Sequence, residues 1–219
     1  MGTLARTPKP SGRPVSGRPA RETDLSRPTG IRKPTDRLLV VCGALTTEFH
    51  YLSMFKKHYK LSSLSVQVVK HPGSPSQVVR HAAKRRASSS GDYDQTWCVV
   101  DVDEYRDLEH ATALAREENV ELVVSNPCFE VWLLLHHTDH RKWVRNYDAV
   151  KSLLLRHVPV PDDKSVNFER DYHHDEDGNP RWRQAVTRAR RLAEEGREHL
   201  ENPSTGMWRL ALAIHGCAD

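Results

Sequence analysis

The chain has 219 residues, of which 28% are charged, 37% hydrophobic and 7% aromatic, enough for one compact domain with a tail. Its net charge of +4 is concentrated at the front. Residues 1–36 hold eight Lys or Arg against Glu22, Asp24 and Asp36, which leaves about −1 for the rest. The body is therefore not a basic protein, and only the tail has the bulk charge that draws a polyanion or aids solubility. Its longest apolar runs, such as Val131 to Leu135, are far short of the ~20 residues of a membrane span, so no membrane association is expected. No apolar stretch follows the basic N-terminal residues, and the expected location is cytoplasmic. Cys42, Cys98, Cys128 and Cys217 match no zinc spacing and read as small buried hydrophobes in a reducing compartment.

Residues 1–35 hold six of the thirteen prolines and no apolar periodicity, which predicts a disordered basic tail. Leu38 to Cys42, closed by Gly43, reads as a strand buried on both faces. Thr46 or Thr47 is placed to cap a helix whose stripe is Tyr51, Leu52, Phe55 and Tyr59. Val66 to Val69 is a second strand. A His71–Pro75 turn leads into a helix with Val78, Val79, Ala82 and Ala83 on its inner face. Thr96 to Val100 is a third strand, and Leu108, Ala111, Leu114 and Ala115 mark the helix after it. Val120 to Ser125 is a fourth strand. Ser125 or Asn126 is expected to cap the next helix, with Pro127 in its first turn. This alternation predicts an α/β fold with a four-stranded parallel sheet flanked by helices, over residues 36–145. Residues 146–219 read as a helical C-terminal extension, with helices over 148–157, 180–200 and 207–215. A polar stretch over 161–179 is either a functional loop or disordered.

In an open parallel sheet, ligands gather beyond the carboxyl ends of the strands. The third strand ends in Asp101-Val102-Asp103-Glu104. Two carboxylates at that spacing suit a hard cation such as Mg²⁺ between them, or else form a solvated turn in which Asp103 or Asp107 caps the next helix. Glu130 and Glu48 each fall in the first turn of a helix that follows a strand, where the helix dipole alone also favours a carboxylate. Glu48, Asp101, Asp103 and Glu130 thus converge from three strand tips.

Four blocks carry a family resemblance. They are Val40-Val41-Cys42-Gly43-x-x-Thr46-Thr47-Glu48, Tyr93-Asp94-x-x-Trp97-Cys98-Val99-Val100-Asp101-Val102-Asp103, Ser125-Asn126-Pro127-Cys128-Phe129-Glu130, and Asn202-Pro203-Ser204-Thr205. Over roughly residues 36–212 the chain resembles the RloB family, which is similar to the Toprim nucleases of phage-defence and abortive-infection loci. The resemblance implies a Toprim-like sheet and Mg²⁺- or Mn²⁺-dependent phosphodiester chemistry on nucleic acid, RNA or DNA, beside a partner ATPase. It places Asp101, Asp103, Glu130 and Glu48 on metal-binding acids, with Glu48, Asp101 and Asp103 also catalytic. It places Lys164 on a family lysine suited to neutralising charge on a phosphate. One position departs: the family usually has a glutamate after the first strand where this chain has Gly43. Glycine binds no metal and moves no proton through a side chain, so either Glu48 substitutes or the module is catalytically degenerate and only binds.

Arg181, Arg183 and Arg188 on the 180–200 helix line up as a nucleic-acid-binding face, against the plainer reading of a solvated helix surface. His136 and His140 form an i, i+4 pair, while His173 and His174 read as solvated. The Gly73–Ser76 turn reads as a plain turn more readily than as a phosphate cradle, since Pro75 removes one amide donor.

Overall fold

A computed structural model describes residues 2, 36–44, 46–59, 64–89, 91–102 and 107–216. The chain divides into units 1–32 and 33–219, and the second is described below. But for Gly2, the expected tail lies outside the described residues, as do Asp103 and Cys217.

Five strands make one sheet in the order β2-β1-β3-β4-β5. β1 (Asp36–Cys42), β2 (Leu64–Lys70), β3 (Gln95–Asp101) and β4 (Glu121–Asn126) are parallel, and the two-residue β5 (Ser204–Thr205) runs antiparallel to β4. This is the α/β architecture read from the sequence, consistent with a Toprim-like fold, with the short β5 added. The continuous apolar run in β1 has its cause in two covered faces. Leu38, Val40 and Cys42 pack with Tyr51, Leu52 and Phe55 of α1 (Thr47–His58), while Leu39 and Val41 pack with Val78, Val79 and Ala82 of α2 (Pro75–Ser88) and with α3 (Leu108–Glu117). From β1 the chain steps one way to β2, then crosses back over β1 to β3. With one crossover hand, α1 must lie on one face and α2 and α3 on the other. The strand order therefore reverses between β1 and β3, and a crevice opens there.

The remaining helices, α4 (Glu130–Leu135), α5 (Tyr147–Leu154), α6 (Phe168–Asp171), α7 (Arg181–Ala189) and α8 (Met207–His215), join the α1 face. An aromatic cluster binds them to it. Tyr51 of α1 has Phe129, Trp132, Phe168 and Tyr172 around it at centroid distances of 5.4 to 6.4 Å, mostly edge-on. Each such pair adds about 0.5–1.5 kcal/mol beyond burial of its area. His136 is fully buried within the cluster. Its Nδ1–H donates to the Trp132 carbonyl at 2.8 Å, and its Nε2 accepts from the Tyr51 hydroxyl at 3.0 Å. Burial holds its pKa down at about 3, so the ring is neutral.

Several expectations are corrected. Ser125 and Asn126 finish β4, Asn126–Pro127 is a cis peptide, and α4 starts at Glu130, so Pro127 is not in a first turn and neither polar residue caps. Thr46 stands before α1 without a side-chain cap bond, and Thr47, already inside the helix, turns its hydroxyl to Glu130 instead. The 180–200 helix stops at Ala189, after which i→i−3 bonds from Arg191 and Leu192 tighten the backbone and Gly196 takes a φ of 78°. The 161–179 stretch is not a featureless loop. Asn167 caps α6, and Phe168 and Tyr172 are core residues at 1% and 3% exposure. His140 lies outside any helix, so the i, i+4 pair with His136 does not form. His173 is partly buried rather than solvated, its ring centroid 3.5 Å from that of His58.

Candidate active site

At the reversal, the carboxyl ends of the parallel strands surround a cleft of about 470 Å³. Gly43 and the first turn of α1 form one side, Asp101 at the tip of β3 the floor, and Cys128 and Glu130 after β4 the other side. Pro72, Gly73 and Pro75, leading into α2, form a rim, and Tyr147 and Lys164 from the helical extension close over it. Glu48, Asp101, Glu130 and Lys164, far apart in sequence, thus line one cleft. Asp103 falls outside the described residues.

Glu48 and Glu130 occupy the first turns of α1 and α4, where partial positive charge and free amides favour a carboxylate. Both are nonetheless almost removed from water, at 2% and 5% exposure. Glu130 Oε1 accepts from the Thr47 hydroxyl at 3.0 Å. Burial is the main cause that raises the Glu48 pKa to about 7; the Glu130 charge adds to it, whereas a backbone hydrogen bond and Lys164 oppose it. Two buried carboxylates line one cleft with Asp101 and offer hard oxygen donors, although among the described residues no three His, Cys, Asp or Glu side chains stand close enough together to hold a metal ion. That donor chemistry fits Mg²⁺ or Mn²⁺.

The cation the chain itself supplies is Lys164. Its backbone sits in the left-handed region at φ 55°, in a turn closed by its amide to the Pro161 carbonyl at 3.0 Å. A non-glycine residue held there costs about 1 kcal/mol or more, a strain that gathers at functional sites. The Lys164 ammonium lies 4.3 Å from the centroid of the Tyr147 ring. Phe168, four residues on, anchors this segment in the aromatic core.

Three cleft residues went unrecognised in the sequence. Thr47 orients Glu130; its signals were a capping position and its place beside Glu48 in the first family block. Tyr147 carries Lys164 on its ring; burial, then the Glu130 charge, raise its pKa, so its hydroxyl stays protonated as a donor. Burial, with Glu130 and Asp101 next, pushes the Cys128 thiol far up, which makes it a neutral wall rather than a nucleophile.

None of Arg181, Arg183 and Arg188 lines the cleft. Arg188 donates to the Leu135 carbonyl at 2.6 Å, closing the end of α4, and Arg181 donates to the His174 carbonyl at 2.8 Å. Arg183 is exposed and lies over the Trp182 ring. The Gly73–Ser76 turn is satisfied from within the chain, since Asp107 Oδ2 accepts from the Ser74 hydroxyl at 2.7 Å and the Ser76 amide at 3.1 Å.

Among the described residues, no helix is long and apolar enough to cross a membrane. No curated protein and no solved structure in the comparisons matches the chain. A family model described as RloB-like protein does match, over residues 38–214, a span that runs from β1 into α8 and takes in Gly43, Glu48, Asp101, Glu130 and Lys164. The chain belongs to the RloB-like protein family.

Proposed function

We propose that the cleft is the catalytic centre of a Mg²⁺- or Mn²⁺-dependent nuclease that cleaves nucleic-acid phosphodiesters. The observation that carries this reading is the pair Glu48 and Glu130, each nearly excluded from water yet facing the same cleft as Asp101 and Lys164. A structural role alone does not favour such a pair, because burying two neighbouring carboxylates costs stability. Asp101 and Glu130 would hold the cation with Asp103, the ligand the family resemblance adds, and Glu48 as a further oxygen donor. When bound, the cation supplies Lewis-acid polarisation of the phosphoryl oxygen and a more acidic water.

The chain's own groups divide the remaining work. Glu48, whose pKa burial raises to about 7 in the metal-free cleft, would accept a proton from an attacking water where it stands outside the cation's ligand set. The Lys164 ammonium is placed to neutralise charge that develops on the phosphate. Thr47, through its hydroxyl on Oε1, fixes the rotamer of Glu130. The proposal extends this activity to phage defence or abortive infection beside a partner ATPase, a reading supported by the family resemblance alone.

A second reading, a degenerate module that binds nucleic acid or a defence partner without cutting, is favoured by Gly43. A Cβ there would stand 3.2 Å from the Val99 carbonyl oxygen, to which the Gly43 amide already donates at 2.8 Å. A side chain requires β3 to yield by a few tenths of an ångström. The test is cleavage of labelled tRNA, single-stranded DNA and duplex DNA with Mg²⁺ or Mn²⁺. The nuclease reading expects cutting by the wild type that Asp101→Asn and Glu130→Gln abolish. Cutting that survives both substitutions refutes the site, and metal-stimulated binding without cutting supports the degenerate module.

A further inference from the structure

We propose that the exposed face of α2 is the track along which the phosphate backbone of the nucleic-acid substrate leaves the cleft, an inference that rests on the nuclease reading above. α2 begins at Pro75, on the cleft rim. Its fourteen residues include Arg80, His81, Lys84, Arg85 and Arg86 and no Asp or Glu. Of these, only Arg86 has a salt bridge among the described residues, to Glu118 at 4.0 Å, and its guanidinium also closes the end of α3 through the Glu118 and Asn119 carbonyls. Arg80 meets another base, with its Nη2 3.0 Å from His110 Nε2. His71, just after β2, stacks on His81 at 3.9 Å with the rings 9° apart.

Arg80 and Lys84 are i, i+4 like charges, which destabilise an isolated helix by a few tenths of a kcal/mol. Packing gives no reason to keep them, since both are exposed. His81 reports the resulting field. Its pKa is lowered first by burial and then by His71, Arg85 and Lys84. Among the described residues, Asp107 is bound to Ser74 and Ser76 at the head of α2, and Glu118 faces Arg86. On α7, by contrast, Arg181 and Arg188 are spent on backbone carbonyls. A polyanion neutralises unpaired basic side chains and releases its own counterions, so the substrate gains most on α2.

The test is fluorescence anisotropy of a labelled single-stranded RNA with EDTA, over a salt series. The triple variant Arg80→Ala/Lys84→Ala/Arg85→Ala is expected to bind at least about tenfold more weakly than the wild type, with the slope of log K on log salt shallower by about 2. Its Mn²⁺ binding should be unchanged. In the unmodified chain, the His81 imidazole, followed by NMR, should titrate at higher pH when the RNA is added. Wild-type affinity in the triple variant, or a His81 titration that RNA does not move, overturns the track and leaves the nuclease reading standing. A wild type that binds and cuts no nucleic acid overturns the substrate reading itself, and the track with it.

Discussion

Glu48→Gln is the most informative single substitution, because it keeps the shape of the side chain and removes its ionisation. Burial raises the Glu48 pKa from 4.5 to about 7, so between those values the folded state holds a proton that the unfolded state releases. A raised acid contributes stability that is fully present below the unfolded pKa and is lost as pH rises through the folded one. At about pH 8 the cost of ionising the buried group comes to roughly 3 kcal/mol, at 1.36 kcal/mol per pKa unit. The variant carries no such cost. Without divalent metal, Glu48→Gln should therefore be more stable than the wild type by about 3 kcal/mol at pH 8, or roughly 6–12 °C in Tm for a domain of this size. The gap should nearly close as pH falls to about 4.5. Urea unfolding followed by circular dichroism, at several pH values in EDTA, measures it. A gap that is absent at high pH, or independent of pH, refutes the assignment of Glu48 as a buried, proton-holding carboxylate. Mg²⁺ should reverse the order by stabilising the wild type more than the variant, because it replaces that proton.

Lys164→Met should leave the melting curve nearly unchanged and lower phosphodiester cleavage by about 10²–10³-fold, if the ammonium stabilises developing charge; cleavage within a factor of two of wild type would remove it from the site. Tyr51→Phe takes away the donor to His136 Nε2 in the core and should cost about 1–3 kcal/mol in urea unfolding, the penalty of a buried acceptor left unsatisfied. Asp107→Ala should cost about 0.5–2 kcal/mol at neutral pH through loss of its bonds to the head of α2. Although burial pulls the other way, hydrogen bonds from Ser76 and Ser74 hold the Asp107 pKa below its ordinary value. Its contribution is therefore present above the unfolded pKa and fades as pH falls through the folded one, so this variant and the wild type should converge in acid.

The sheet was legible because fully covered strands leave unbroken apolar runs, as in Leu38 to Cys42, and because α1, α2 and α3 show their inner faces in their spacing. Glu48, Asp101 and Glu130 were legible for the same reason, since each lies at the end of such a run. What escaped was long-range pairing. β5 is two residues whose identity as a strand exists only through Ser125 and Asn126. Tyr147 joins the cleft only because the extension folds over it. On α7, spacing does not show that Arg188 turns inward to the Leu135 carbonyl. The basic face of α2 was overlooked because a +4 chain with most of its charge in the tail directs attention to the tail.

The central claim is that the carboxylates of the cleft hold a divalent cation. Mn²⁺ binding followed by electron paramagnetic resonance, on the wild type and on Asp101→Asn/Glu130→Gln, tests it without reference to any substrate. The nuclease reading predicts saturable Mn²⁺ binding in the wild type, competed by Mg²⁺, strengthening as pH rises through about 7 and lost in the double variant. Equal binding by both proteins, or no binding by the wild type, would contradict it.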